Sequence, residues 1–245
     1  MDASVSEPDS LHVFTAFSAM HLVAAGVFVA LLVIGAWSAR HLRGSAREPR
    51  DRWALAIFAL AYWIAYNTWW NWNGLDLRTG LPLQACDISG LLAPFALLTQ
   101  NRTLRATLYF WAFGFATQAF IQPSLTVGPA YILFWAFWIA HTLILSCALY
   151  DLVVLGFRPG WGDYGRALLV GVIWAAAVVR IDLLLGANYG FIGDPPPDIA
   201  MPPAVLALGP WPQRLLVMAA LGGPGFLILL APWLAVRGRA RASTT

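Results

Sequence analysis

AYILFWAFWIAHTLILSCALYDLVVL, residues Ala130–Leu155, holds a single charged side chain, Asp151, in twenty-six positions. A helix needs about 20 mostly apolar residues to cross the hydrocarbon of a bilayer, and this run is long enough. Six more runs flank it: about Phe14–Trp37, Trp53–Trp72, Leu81–Thr99 and Leu104–Ile121 before it, Ala167–Tyr189 and Gln213–Val236 after it. The fold class expected is therefore an all-α, polytopic membrane bundle of seven helices. Pro94 interrupts the third run, which a membrane helix tolerates because neighbouring helices re-satisfy the freed carbonyl.

Composition agrees with that reading. The 245 residues are 60% hydrophobic and 11% charged, where a soluble domain carries about 25% charged residues. This excludes a soluble enzyme, a disordered chain and a disulfide-stapled secreted domain. The two cysteines, Cys86 and Cys147, form no CxxC or zinc-type spacing. Thirteen tryptophans suit membrane interfaces, where an amphipathic ring meets both water and hydrocarbon.

All fifteen basic residues are arginine, and twelve fall on alternate connections. Arg40, Arg43, Arg47, Arg50 and Arg52 follow the first run, and Arg102 and Arg105 the third. Arg158 and Arg166 follow the fifth, and Arg237, Arg239 and Arg241 lie in the tail. Cytoplasmic loops carry such an excess, so the N-terminus is expected outside and the C-terminus inside. The N-terminus, with Asp2, Glu7 and Asp9, lacks the basic stretch of a cleaved signal. The organisation expected is an N-terminal extension (1–13), one seven-helix transmembrane domain (14–236) and a basic cytoplasmic tail (237–245). The net charge of +3 is thus a topology signal, with no nucleic-acid partner expected. Seven of the sixteen prolines lie in the last outer loop, Gly190–Pro212. That loop is expected to be stiff and non-helical, a spacer or a cap over an outward cavity.

Polar groups at membrane depth are costly unless paired, so their placement points to function. Asn67, Thr68, Asn71 and Asn73 close the second run on the outer side, and Gln84, Cys86, Asp87 and Ser89 open the third. Gln118 and Gln122 end the fourth, while Arg180, Asp182 and Asn188 occupy the outer half of the sixth. His21 is in the outer half of the first run and His141 near the middle of the fifth. The inner halves carry almost none of this, and one polar cavity open to the outer leaflet accounts for it. The amides and glutamines equally suit interhelical hydrogen bonds, each worth on the order of 0.6 kcal/mol. Arg180 and Asp182 do not face each other on a helix, so Arg180 needs another partner, and Asp87 is the candidate.

Pro82 suits a first helical turn, which would place the amides of Leu83, Gln84 and Ala85 at a helix N-terminus near Cys86. Such amides favour negative charge and suit a thiolate or an oxyanion. A free cysteine is also among the most commonly buried residue types, and Cys147 is assigned to the core on that ground. A nucleophilic cysteine needs a base within hydrogen-bond reach, and only His21 and His141 are inside runs. A lone buried histidine is equally a core residue, and Cys86, His21 and His141 could together hold a metal, although no metal site is expected.

LPLQACDIS (Leu81–Ser89) is followed by QNRTL (Gln100–Leu104), YFWAFGFATQA (Tyr109–Ala119) and FRP (Phe157–Pro159). LLLGANY (Leu183–Tyr189), PPP (Pro195–Pro197) and LGPWP (Leu208–Pro212) come next. In this order the chain, from about residue 11 to 236, resembles the YwaF family of integral membrane proteins, whose animal relative is transmembrane protein 164. The resemblance implies an acyltransferase that remodels phospholipids through a cysteine–histidine pair, here Cys86 and His141, with no cofactor. The family pattern has histidine where Gln84 stands and asparagine where Asp182 stands. The first departure removes a second histidine beside the cysteine, and the second adds a charge and a counter-ion for Arg180.

The reading is thus a membrane acyltransferase, in a bacterial cytoplasmic membrane, acting on phospholipid and lysophospholipid. Cys86 is the nucleophile and His141 the base. Gln84, Asp87, Asn67, Asn71, Gln118, Arg180, Asp182 and Asn188 are the candidates for substrate or oxyanion contacts. A hydrolase or thioesterase using the same pair, or a non-catalytic transporter or lipid-handling protein, are the alternatives.

Overall fold

A computed structural model describes residues 11–194 and 201–242. It is all-α: the described residues hold no strand, only a single bridge between Val13 and Val127. The longer helices are α1 (Ala19–Ala39), α2 (Glu48–Trp70), α3 (Ala85–Thr99), α4 (Arg102–Trp111), α5 (Ile132–Val153), α6 (Trp161–Leu185) and α7 (Gln213–Ala242). Each corresponds to one of the apolar runs. Four stretches are long and apolar enough to cross a membrane: Ala19–Leu42, Ile132–Val153, Trp161–Leu185 and Gln213–Arg237.

Local chemistry sets the ends. Ser18 caps α1 by accepting from the His21 N–H (3.3 Å). Glu48 and Asp51 occupy the first turn of α2, where acidic groups complement the helix dipole. The α3–α4 hairpin needs only two residues. Gln100 turns the chain with φ 52°, and the Asn101 side chain accepts from the amides of Thr103 and Leu104 (2.9 and 3.2 Å). Beyond Trp111, α4 continues through a π turn, Ala112–Ala116, into the short helix Gln118–Ile121.

Two expectations change. The third helix begins at Ala85 and not near Leu81, because residues 81–84 are held by side chains of other elements in place of helical bonds. The outer loop is not wholly non-helical, since Pro203–Leu206 forms one helical turn with Pro203 at its first position. Proline is suited to that position, where the missing N–H has no partner to lose. Pro195–Pro197 and residues 1–10 of the N-terminal extension lie outside the described residues.

The core is built from small side chains. Ala56 and Ala59 of α2, Ala93 and Ala96 of α3, and Cys147 and Ala148 of α5 pack together around Leu97 and Ile144. Small residues let membrane helices approach closely. The outer faces of α1, α6 and α7 expose Val23, Leu31, Val172, Ile173, Leu216 and Ile228.

The arginine-rich end is closed by ion pairs. Arg105 pairs with buried Asp151 (Nη2–Oδ1 2.8 Å), and Arg102 grips Asp163 with two nitrogens (2.8 and 2.6 Å). Arg166 reaches the same carboxylate (3.1 Å). The arginine-rich end therefore holds more polarity than expected, because Asp151 and Asp163 neutralise arginines that the sequence assigns to loops.

Candidate functional site

The turn that carries Cys86 hangs from its neighbours. The Tyr189 hydroxyl accepts from the Leu81 N–H (2.9 Å) and donates to the Leu77 carbonyl (3.0 Å). Trp174 Nε1–H donates to the Leu83 carbonyl (3.0 Å), and the Gly190 N–H donates to Gln84 Oε1 (2.7 Å). Gln84 is the N-cap of α3, and its own N–H donates to Asp87 Oδ2 (3.2 Å). The first intrahelical bond runs from the Ile88 N–H to the Gln84 carbonyl (3.0 Å). Cys86 consequently sits within the first turn itself, and the amides ahead of that bond are those of Ala85, Cys86 and Asp87. The helix dipole is strongest there, so the Leu83–Ala85 trio expected from Pro82 moves two residues along the chain.

Cys86 and His141 line one cavity of about 80 Å³ between α2, α3 and α5. Asp87 and Gly90 join them from α3, Tyr62, Trp63 and Tyr66 from α2, and Phe137 from α5. His141 Nδ1 lies 2.7 Å from the Phe137 carbonyl. A carbonyl only accepts, so Nδ1 carries the proton and Nε2 of the neutral ring keeps a free lone pair. The Phe137 ring packs on the imidazole with centroids 4.4 Å apart. Trp63 Nε1–H donates to the Asp87 carbonyl (2.9 Å), tying α2 to the cysteine turn. Tyr62 ties α2 to α5 by donating to the Ala136 carbonyl (2.8 Å).

The remaining candidates lie elsewhere. Asn67 donates to the Trp63 carbonyl (2.9 Å), and Asn71 to the Asn67 and Gly80 carbonyls (3.0 Å each), so both finish α2. Gln118 is exposed beyond the π turn, with Nε2 3.4 Å from the Gly114 carbonyl. Arg180 is exposed and, among the described residues, makes no ion pair with Asp87 or Asp182. Asp182 is buried, and its Oδ1 accepts from the Tyr189 N–H (2.9 Å). Asn188 Oδ1 accepts from the Gly193 N–H (3.2 Å). The single outer cavity expected from the sequence is thus divided, because each amide or carboxylate takes a backbone partner close to its own helix end. His21 is fully engaged as well: Nδ1 accepts from the Phe17 N–H (2.9 Å) and Nε2–H donates to the Phe120 carbonyl (3.0 Å). Among the described residues no three of His, Cys, Asp or Glu are grouped to hold a metal.

Two features escaped the sequence. Ala59, Tyr62, Trp63 and Tyr66 form one stripe of α2 facing the cavity, and their 3–4 residue spacing was the available signal. Arg214, only 2% exposed, donates from Nε to the Phe191 carbonyl (2.8 Å) and from Nη2 to the Gly193 carbonyl (2.5 Å). It clasps the segment whose Gly190 holds Gln84. A loop arginine gives no sequence signal for that inward turn.

No curated protein and no solved structure matches the chain. A family model does, the TMEM164 family, over residues 16–230. That match takes in every helix from α1 to α6, most of α7, and the whole Cys86–His141 cavity, and the chain belongs to the TMEM164 family.

Proposed function

We propose that the chain is a lipid acyltransferase that crosses a bacterial cytoplasmic membrane seven times, N-terminus outside and arginine-rich end inside. In this reading Cys86 carries the acyl group and His141 moves the proton. The observation that supports it is the shared cavity, lined both by a first-turn cysteine and by a histidine whose Nδ1–H is held and whose Nε2 is free. The span count is supported by length. Residues 102–121 run helically for about 30 Å, enough to cross the hydrocarbon. The resemblance of its motif strings to those of the YwaF proteins supports a kinship with them as part of this reading.

The chemistry uses only the groups present. Cys86 Sγ bonds to the ester carbonyl carbon of a donor phospholipid while His141 Nε2 takes the thiol proton. The oxyanion faces the amides of Ala85 and Cys86. The ester C–O bond then breaks, His141 returns the proton to the departing lysophospholipid oxygen, and a thioester remains. An acceptor lysophospholipid hydroxyl gives its proton to Nε2, its oxygen bonds to the carbonyl carbon, the C–S bond breaks, and the proton returns to sulfur. Dividing one acyl transfer into two steps is what a thiol nucleophile contributes.

The test is transfer of a labelled acyl chain between phospholipids by purified protein in vesicles. Cys86→Ala and His141→Gln are each expected to lower turnover at least about 100-fold. Equal turnover in wild type and Cys86→Ala would overturn the cysteine assignment, and wild-type turnover no higher than in protein-free vesicles would return the protein to a non-catalytic, lipid-handling role. Free fatty acid without acylated acceptor would make it a hydrolase.

A further inference from the structure

A second cavity of about 230 Å³ lies between α1, α2 and α5, towards the arginine-rich end. Leu32, Gly35 and Ala36 line it from α1, Leu55 from α2, Ser146 and Leu149 from α5. It is larger than the roughly 150 Å³ apolar cavities that stay dry and accept benzene. On α1 its wall is open: Gly35 is exposed, and a Cβ built there would meet no atom within 4 Å. The Tyr150 hydroxyl, at its far end, is turned to the Glu48 carbonyl (3.2 Å). Nothing in this lining is ionised, so neither an ion nor a head group is served by it.

The two cavities are separate, the first against α3 and the second against α1, and they come nearest along α2 and α5. On α2, Ala59 lines the Cys86 cavity and Leu55 the second, and residues four apart are stacked on one helix face. On α5, Leu143 lines the first and Ser146 the second, again one turn apart. From His141 to Leu149 the helix rises about 12 Å, the length of about ten methylene groups in an extended chain.

We infer that this second cavity is the acyl-chain subsite: the carbonyl carbon of the substrate sits at Cys86, and its hydrocarbon tail runs down the α2–α5 seam into the gap beside Gly35. This rests on the acyl-transfer reading of Cys86 and adds what that reading lacks, a physical limit on chain length. Side chains enlarged at the α1 wall shorten the space, so they select against long chains and spare short ones.

Full-length protein in vesicles is given donor phospholipids whose acyl chains range from about eight to about eighteen carbons, a span bracketing the seam length. Gly35→Phe and Ala36→Leu are expected to lower transfer of the longest chains at least tenfold relative to the shortest. Val33→Phe, on the exposed face of α1, is expected to leave the profile unchanged. In parallel, wild-type protein is photolabelled with a phospholipid bearing a diazirine at the end of its acyl chain. Labelling at Ser146 or Leu149 supports the subsite even if no transfer is measured, in which case only the catalytic reading falls. An unchanged chain-length profile in both variants, or label absent from these residues in the wild type, overturns the subsite.

Discussion

Gly90 shows how little room the cysteine turn has. A Cβ there would meet Trp63 Cδ1 at 3.0 Å, and Trp63 is the residue whose indole N–H holds the Asp87 carbonyl. Gly90→Ala is expected to push the indole aside, with overpacking costs of about 1–3 kcal/mol. Acyl-transfer turnover should fall further than thermal stability does, which paired activity and melting measurements would separate. At this scale the sequence could not separate Cys86 and His141 from Cys147 and His21, which are also a thiol and an imidazole in apolar runs. It was the resemblance that paired the first two, and the cavity they share became visible only in three dimensions. Tyr62 and Tyr66 were not legible either, since aromatic residues in a membrane helix look the same whether they face lipid or a cavity.

Helix ends and breaks decide which candidates reach the cavity. The start of α3 at Ala85 was hidden, because Pro82 signals a first turn while the partners of residues 81–84 come from Trp174 and Tyr189, about a hundred positions away. Gln118 was expected inside; a π turn adds a residue to the helical repeat and so rotates the residues beyond it, leaving Gln118 outward. Arg214 acts on the same element from the other side by clasping residues 191–193. Arg214→Met leaves two buried carbonyls without a donor, at about 1–3 kcal/mol each at most. The expected outcome is a lower melting temperature together with faster alkylation of Cys86 by a maleimide. Cys147, which is fully buried, should stay unreactive and serve as the internal control.

For the molecule as a whole, the all-α class was legible from hydropathy, and each run holds a helix, four of them long and apolar enough to cross a membrane. What hydropathy cannot supply is which arginines have partners. Asp151 lay inside an apolar run and Asp163 in the connection after it, and both are buried anchors, for Arg105 and Arg102. The two pairs should differ in weight. Arg105→Met leaves Asp151 buried and unpaired, at a cost of about 3 kcal/mol or more. Arg102→Met removes a guanidinium that is 59% exposed and leaves Asp163 with Arg166 and the Gly160 N–H; about 1 kcal/mol or less is expected. Melting in detergent would rank them. Topology is checked by cysteine labelling. In a background lacking Cys86 and Cys147, Thr79→Cys should react with an impermeant maleimide in intact cells, and Ala46→Cys only after permeabilisation, both positions being exposed.

The same asymmetry has a mechanical side. One end of the bundle is a floor of ion pairs, and separating Arg105 from Asp151 leaves a buried charge bare. The other end is laced by neutral bonds onto carbonyls, from Tyr189, Trp174 and Gly190. A lipid head group can take over a bond to a carbonyl or an amide one for one, whereas it cannot replace a buried counter-ion without stranding its mate. On the acyl-transfer reading the bundle is therefore hinged at its charged floor and unlatches at its neutral mouth, so traffic of lipid in and out passes through a single leaflet.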